Sequence, residues 1–158
     1  MKIQFKNVKL QSVSSKYVCG IRSKLLNPDF DSLINMYDIL LLTETKPDKF
    51  DVLKLPNDYS YFSKSRKKFP KNQVELLIVF KKVLSKFKKI IYSDSEYIQW
   101  IEISKEYSTL NENVLLGCTY ITPEYTKYSS EEVFIEIEEE LILFSQNTKN
   151  ISIIGDFN

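Results

Sequence analysis

The chain of 158 residues contains no histidine, only three glycines and two cysteines, and no apolar run of membrane-spanning length. Without histidine there can be no histidine-based catalytic triad, histidine general base or histidine metal ligand. Cys19 and Cys118 lack the spacing of a metal site, so we interpret both as small core residues with free thiols in a reducing compartment. The N-terminal segment is too polar for a secretion signal. We therefore expect an intracellular protein, nuclear or cytoplasmic, that does not contact a membrane.

The composition is that of a single globular unit. Apolar residues make up 43% and charged residues 27% of the chain, and ten tyrosines with ten phenylalanines favour a strand-rich core. The 22 basic and 21 acidic residues leave a net charge of +1. Because no overall field attracts nucleic acid, any such affinity must come from local basic patches.

The final stretch ISIIGDFN, residues 151–158, places polar groups at the end of an apolar strand. Its isoleucines predict a buried strand, and Gly155 allows the backbone to turn or to approach another group closely. Asp156 and Asn158 would then stand at the exposed strand end, with Phe157 packed beneath the loop. At such a strand end, a carboxylate and an amide are placed to contact a ligand.

A second carboxylate follows the continuous apolar run Ile39 to Leu42, which is typical of a strand buried on both faces. Glu44 lies at the exit of this strand and is well placed for a cation site. The alternative is a carboxylate that only caps a loop. Before this strand, Asn27 and Pro28 predict the start of a short helix.

A basic run beside aromatic residues follows a strand predicted at 59–64. Lysines and arginines in such a run suit contacts with a phosphate backbone, whereas the alternative is a solvated hairpin loop. The candidate binding residues are Lys64, Arg66, Lys67, Lys68 and Lys71.

Further strands are predicted at 74–80, 90–92, 97–103 and 114–121, with Trp100 as a packing residue. Ser129 and Ser130 predict the start of an amphipathic helix, on which Glu138 to Glu140 form a solvated acidic face. Tyr120, at a strand end, either donates a hydrogen bond to a phosphate or buries its ring.

Three segments resemble motifs of the endonuclease/exonuclease/phosphatase family, in the family's order. They are DILLLTETK (38–46), LLGCTYITPE (115–124) and ISIIGDFN (151–158). The amino-acid sequence around and between these segments is most similar to that of the endonuclease domains of LINE-type retrotransposons. The resemblance implies an α/β fold of the α+β four-layer sandwich type, with two packed mixed β-sheets flanked by helices. Residues 1–158 would be a partial domain, incomplete at the C-terminus.

The resemblance also implies roles for individual residues. Glu44 would bind Mg²⁺ or Mn²⁺, Asp156 would act on the attacking water, and Asn158 and Tyr120 would hold phosphate oxygens. The family further uses a histidine beyond the last motif, and this chain has none. The chain departs from the family at Tyr17, where an asparagine is expected, and at Val74-Glu75, where a glycine pair is usual.

From these features we predict metal-dependent hydrolysis of DNA phosphodiesters by a retroelement-derived endonuclease fold, truncated and inactive as given. One alternative is a phosphatase or lipid phosphodiesterase of the same superfamily. A second is a non-catalytic remnant that binds nucleic acid through the basic loops. A third is an α/β domain that has retained no function.

Overall fold

The apolar run at 39–42 forms a strand that is buried on both faces, as predicted. In the computed structural model, which describes residues 10–46, 52–65, 74–124 and 132–157, it is strand β2 (Ile39–Thr43) and every side chain in it is buried. Ile39 and Leu41 point to one side of the sheet, and Leu40 and Leu42 point to the other. The strand is apolar throughout because both of its faces are covered.

The strands of the described residues form two four-stranded mixed sheets. The first has the order β1-β2-β4-β3. Its other strands are β1 (Val13–Tyr17), β3 (Tyr59–Ser65) and β4 (Val74–Lys81). The second has the order β5-β6-β7-β8. Its strands are β5 (Lys88–Ile91), β6 (Ile98–Ile103), β7 (Val114–Tyr120) and β8 (Asn150–Asp156). In each sheet one pair is parallel, β1 with β2 and β7 with β8, and the other neighbours are antiparallel.

Helices lie on the outer faces of the sheets. They are α1 (Ile21–Lys24), α2 (Pro28–Asn35) and α3 (Val133–Ser145), and a 3₁₀ turn spans Lys82–Lys86. The Asn27 side chain accepts a hydrogen bond from the Asp29 N–H at 2.9 Å, which confirms the predicted start of α2. The predicted start of α3 at Ser129 and Ser130 lies outside the described residues. No helix in the described ranges has both the length and the apolar character needed to cross a bilayer.

Three apolar clusters join these elements into layers. One lies between the two sheets, where Ile39 and Leu41 meet Leu116 and Cys118. A second packs α2 on the outer face of the first sheet, and a third packs α3 on the outer face of the second. The arrangement is helix, sheet, sheet, helix, which confirms the fold class expected from the resemblance.

Trp100 is fully buried beneath α3, in agreement with its predicted packing role. Its ring occupies the space that a side chain at Gly117 would fill, because a Cβ there would lie 2.6 Å from the ring. Its indole N–H donates to Glu140 Oε2 at 2.6 Å, and the Ser95 N–H donates to Oε1 at 3.2 Å. The prediction that the whole acidic run is solvated was therefore wrong for Glu140. A buried indole needs an acceptor, and α3 supplies one.

Candidate functional site

Four strands end at the same edge of the sandwich, and each brings a polar side chain there. In the first sheet Tyr17, the last residue of β1, pairs with Thr43, and Glu44 follows directly. In the second sheet Tyr120, the last residue of β7, pairs with Asp156, the last residue of β8. The two parallel pairs meet because β1 and β8 are in contact.

The carboxylate of Glu44 joins the two sheets. The Tyr120 hydroxyl donates to its Oε1 at 2.9 Å, across a sequence separation of 76 residues. The Tyr17 hydroxyl donates to Oε2 at 2.8 Å, and the ammonium of Lys46 lies 3.1 Å from the same oxygen. The Glu44 side chain is 20% exposed, so the carboxylate is reachable from solvent while held by three donors.

These donors determine the charge state of the site. Burial opposes ionisation of Glu44, but the hydrogen bonds from Tyr17, Tyr120 and Lys46 outweigh it and keep the pKa of this carboxyl below its ordinary value. The same hydrogen bond to Glu44 is the main reason that the pKa of Tyr17 is raised well above its ordinary value. Around neutral pH the centre of the site is therefore a carboxylate anion that accepts from a neutral phenol.

The backbone at Glu44 is held in an unusual conformation. Its φ of +51° lies in the left-handed region, which non-glycine residues seldom adopt. The segment after β1 fixes it, since the N–H groups of Val18, Gly20 and Ile21 donate to the carbonyls of residues 43, 44 and 45 at 3.1, 2.9 and 2.8 Å. Strained backbone of this kind is concentrated at functional sites.

Asp156 stands beside Tyr120 because β8 approaches β7 closely. Partner residues of adjacent parallel strands lie about 5 Å apart and share a face of the sheet, so the Asp156 side chain projects to the same side as the Tyr120 ring. The carbonyl of Asp156 accepts from the Ile121 N–H at 2.8 Å. At the preceding pair, a Cβ on Gly155 would lie 1.9 Å from the Thr119 carbonyl oxygen. Glycine is needed there for approach to a neighbouring strand.

The predicted basic run is only partly described. Lys64 lies at this edge, since it pairs with Leu76, which in turn pairs with Thr43. Its ammonium is half-buried and donates to the carbonyls of Ser95 and Ile98 at 2.5 and 2.8 Å, and burial lowers its pKa. Lys64 therefore ties β3 to the second sheet through its half-buried ammonium. Four other candidates lie outside the described residues: Arg66, Lys67, Lys68 and Lys71.

The structure thus brings together three of the predicted site residues, Glu44, Tyr120 and Asp156, whereas Asn158 lies outside the described residues. Their chemical roles stay predictions. No family model matches the chain, and none of the curated proteins does. Solved structures do match. The AP endonuclease LMAP from Leishmania major superposes with a TM-score of 0.73 at 16% identity, over 96% of this chain and 56% of that one.

Two other solved structures give the same result. An endonuclease/exonuclease/phosphatase family protein from Leptotrichia buccalis has a TM-score of 0.55 at 14% identity, over 93% of this chain and 66% of that one. The chain has the endonuclease/exonuclease/phosphatase fold. The endonuclease domain of TRAS1, a telomere-specific non-LTR retrotransposon, superposes with a TM-score of 0.51 at 14% identity, over 91% of this chain and 58% of that one. This chain therefore spans 56–66% of the length of these three proteins.

The sequence did not predict that the Tyr17 hydroxyl would reach Glu44. This contact depends on the parallel pairing of β1 with β2, which places the residue at the end of β1 beside the exit of β2. Two packing predictions were also wrong: Cys19 is exposed and Phe157 is 46% exposed, and both follow the end of a strand.

The donor set of this site suits a hard cation. Mg²⁺ and Mn²⁺ prefer oxygen ligands, and one or two carboxylates with several waters are sufficient for Mg²⁺. Glu44 supplies a partly exposed carboxylate, and Asp156 lies in the same group of strand ends. Within the described ranges no three acidic, histidine or cysteine side chains converge as a metal cage. The residues therefore fit a site with one carboxylate ligand and water in the remaining positions.

Proposed function

We propose that this chain carries part of the active site of a divalent-metal-dependent DNA endonuclease. The supporting observation is the contact of Glu44 with Tyr120 across the two sheets, with Asp156 beside Tyr120. Two carboxylates and a phenol from different strands can surround one phosphate group and one cation. The fold supports a phosphodiesterase-type reaction, and the matching solved proteins include an AP endonuclease and a retrotransposon endonuclease domain.

Glu44 is the residue that holds the cation in this proposal. Its carboxylate is ionised at neutral pH and is partly open to solvent. A bound Mg²⁺ or Mn²⁺ would offset the charge of the phosphodiester and stabilise the departing oxyanion. The left-handed backbone at Glu44, fixed by three hydrogen bonds from the segment after β1, keeps the carboxylate in place before the cation arrives.

The remaining residues act on the phosphate and on water. The Tyr120 hydroxyl is a donor, and its buried ring fixes its position, so it can turn from Glu44 to a phosphate oxygen. Asp156 orients or deprotonates the attacking water, and the amide of Asn158 donates to a phosphate oxygen. These roles follow the resemblance of the strand ends to the family's motifs.

The basic segment between β3 and β4 binds the DNA backbone in this proposal. β3 ends at Ser65 and β4 begins at Val74, and their register places both ends at the edge that carries Glu44. A segment joined at this edge can reach a strand of DNA whose phosphate lies at Glu44. Its candidates are Arg66, Lys67, Lys68 and Lys71, while Lys64 anchors the segment through two backbone carbonyls.

We also infer that the 158 residues bind DNA without efficient turnover. The resemblance implies a histidine that stabilises the developing charge on the phosphate, and this sequence has none. Removal of one such stabilising group costs an enzyme about 100- to 1,000-fold in rate.

Fluorescence anisotropy with a labelled DNA duplex tests the proposal. Binding should weaken as salt rises, since each phosphate contact releases counterions, and Mg²⁺ should strengthen it. Glu44→Gln should remove the Mg²⁺ effect, while the matched control Glu138→Gln on α3 should retain it. An equal Mg²⁺ effect in the wild type and Glu44→Gln would contradict the proposed metal site. Nicking of supercoiled plasmid that is lost in Glu44→Gln would overturn only the inference of poor turnover.

One observation favours a second function, a non-catalytic nucleic-acid-binding domain. Tyr17 and Lys46 already occupy Oε2 of Glu44, so the site is neutralised by the protein's own donors. Salt-dependent DNA binding that is indifferent to Mg²⁺ in both the wild type and Glu44→Gln would support this alternative over the endonuclease.

A further inference from the structure

Tyr17 contacts the one carboxylate on which the proposed metal site depends. Its hydroxyl donates to Glu44 Oε2 at 2.8 Å, from the end of the neighbouring parallel strand. We propose that the Tyr17 hydroxyl competes with the divalent cation for Glu44 and so sets the cation affinity of this site. This inference rests on the proposed function, because it assumes that Glu44 is a metal ligand.

Oε2 of Glu44 can accept only a small number of hydrogen bonds. A carboxylate oxygen has about two lone-pair positions for hydrogen bonds. Oε2 accepts from Tyr17 and also lies 3.1 Å from the Lys46 ammonium, so both positions are in use. A cation that binds this oxygen directly must displace one of these donors.

The two partners of Oε2 are both on exposed side chains, since Tyr17 is 58% exposed and the Lys46 side chain is 42% exposed. Tyr17 can rotate into water while its backbone stays paired with Thr43. The phenol is therefore a donor that a cation can replace without opening the core.

The side chain of Tyr17 offers a cation nothing in exchange for the oxygen that it occupies. A phenol that donates to a carboxylate is not itself an anionic ligand. An asparagine at this position would instead offer a carbonyl oxygen, a ligand suited to hard cations. Tyr17 thus favours the state in which Glu44 is hydrogen-bonded to the phenol over the state in which Glu44 binds a cation.

Titration calorimetry with MgCl₂ and MnCl₂ on the whole chain tests this. Tyr17→Phe removes only the hydroxyl, and Tyr17→Asn supplies the amide. An exposed hydrogen bond to a carboxylate contributes about 1 kcal/mol, so the Kd of Tyr17→Phe should fall about fivefold. Tyr92→Phe, at an 84% exposed position, is the matched control and should bind as the wild type does. Circular dichroism checks that all variants fold.

A second readout follows Tyr17 itself. With ¹³C-labelled tyrosine, its ring signal is assigned by its loss in Tyr17→Phe, and it should shift as Mg²⁺ saturates the protein. An unchanged or higher Kd in Tyr17→Phe, or a Tyr17 signal unmoved by saturating Mg²⁺, would overturn the inference.

Glu44→Gln separates this inference from the proposed function. If Glu44→Gln abolishes binding while Tyr17→Phe binds no more tightly than the wild type, the metal site stands and the role of Tyr17 is wrong. If Glu44→Gln binds the cation as well as the wild type does, the proposed metal site is wrong, and the inference is overturned with it.

Discussion

Gly155→Ala should destabilise the protein because the added Cβ would overlap Thr119 next to the site. The added Cβ would lie 1.9 Å from the carbonyl oxygen of Thr119 and 2.9 Å from its side-chain methyl. Side-chain carbons in folded proteins stay about 3 Å or more from such oxygens, so β7 and β8 must separate by about 1 Å at this pair.

The expected size of the effect follows from that displacement. A shift of about 1 Å would stretch the hydrogen bond from the Ile121 N–H to the Asp156 carbonyl, now 2.8 Å long, beyond a useful length. One or two lost backbone hydrogen bonds cost about 1 kcal/mol each, and overpacking adds about 1–3 kcal/mol. We expect a loss of about 2–5 kcal/mol, or a fall in Tm of about 4–20 °C.

Urea denaturation followed by circular dichroism measures this loss, and Gly20→Ala is the matched control. Gly20 also adjoins the site and has a φ of +94°, but a Cβ there would meet nothing within 4 Å. Gly20→Ala should therefore lose only the cost of backbone strain, about 1–3 kcal/mol. A Gly155→Ala variant as stable as the wild type would refute the close approach of β7 and β8.

Three further predictions concern Asp38, Lys64 and the two cysteines. Burial opposes ionisation of Asp38, but hydrogen bonds from Lys81 and two backbone N–H groups keep its pKa below its ordinary value. The ionised Asp38 carboxylate therefore stabilises the fold fully above the ordinary pKa, and this stabilisation is lost as pH falls through the lower pKa of the folded state. In urea titrations, Asp38→Asn should lower the free energy of unfolding by about 2 kcal/mol at pH 7 and by less in acid. Lys64→Met should lower the free energy of unfolding by about 1–2 kcal/mol in the same measurement, because two backbone carbonyls lose their donor. The control Lys89→Met, at an exposed position, should not change it measurably. Burial raises the pKa of the Cys118 thiol to about 12, whereas Cys19 is exposed. A thiol reagent should therefore modify one cysteine in the native protein and two in urea. Modification of both cysteines under native conditions would contradict the burial of Cys118.

The sequence predicted most strands and the start of α2, but not how the strands pair. The run Ile39 to Leu42 predicted a buried strand, and Asn27 with Pro28 predicted a helix start that the structure confirms. The division into two sheets, and their strand orders, depend on contacts between residues far apart in the chain. No local pattern encodes those contacts.

Only some residues of the candidate site could be predicted from the sequence. Carboxylates and hydroxyls that follow apolar strands are visible in sequence, and Glu44 does contact Tyr120, whose partner on the neighbouring strand is Asp156. The hydrogen bond from Tyr17 was not predictable from composition or periodicity, because it depends on the in-register parallel pairing of β1 and β2. Exposure after a strand end, as at Cys19, depends on which layer covers the loop, and apolarity alone does not reveal that.

The most direct test of the central claim is to locate a bound cation by Mn²⁺ paramagnetic broadening in amide NMR spectra. We expect signals at the ends of β1, β2, β7 and β8 to broaden first, with Glu44 and Tyr120 among them, and Glu44→Gln to abolish this pattern. The competing location is the acidic groove beside α3, which is lined by Asp94, Glu96 and Glu139. Broadening at that groove, with the strand ends unaffected, would contradict the account.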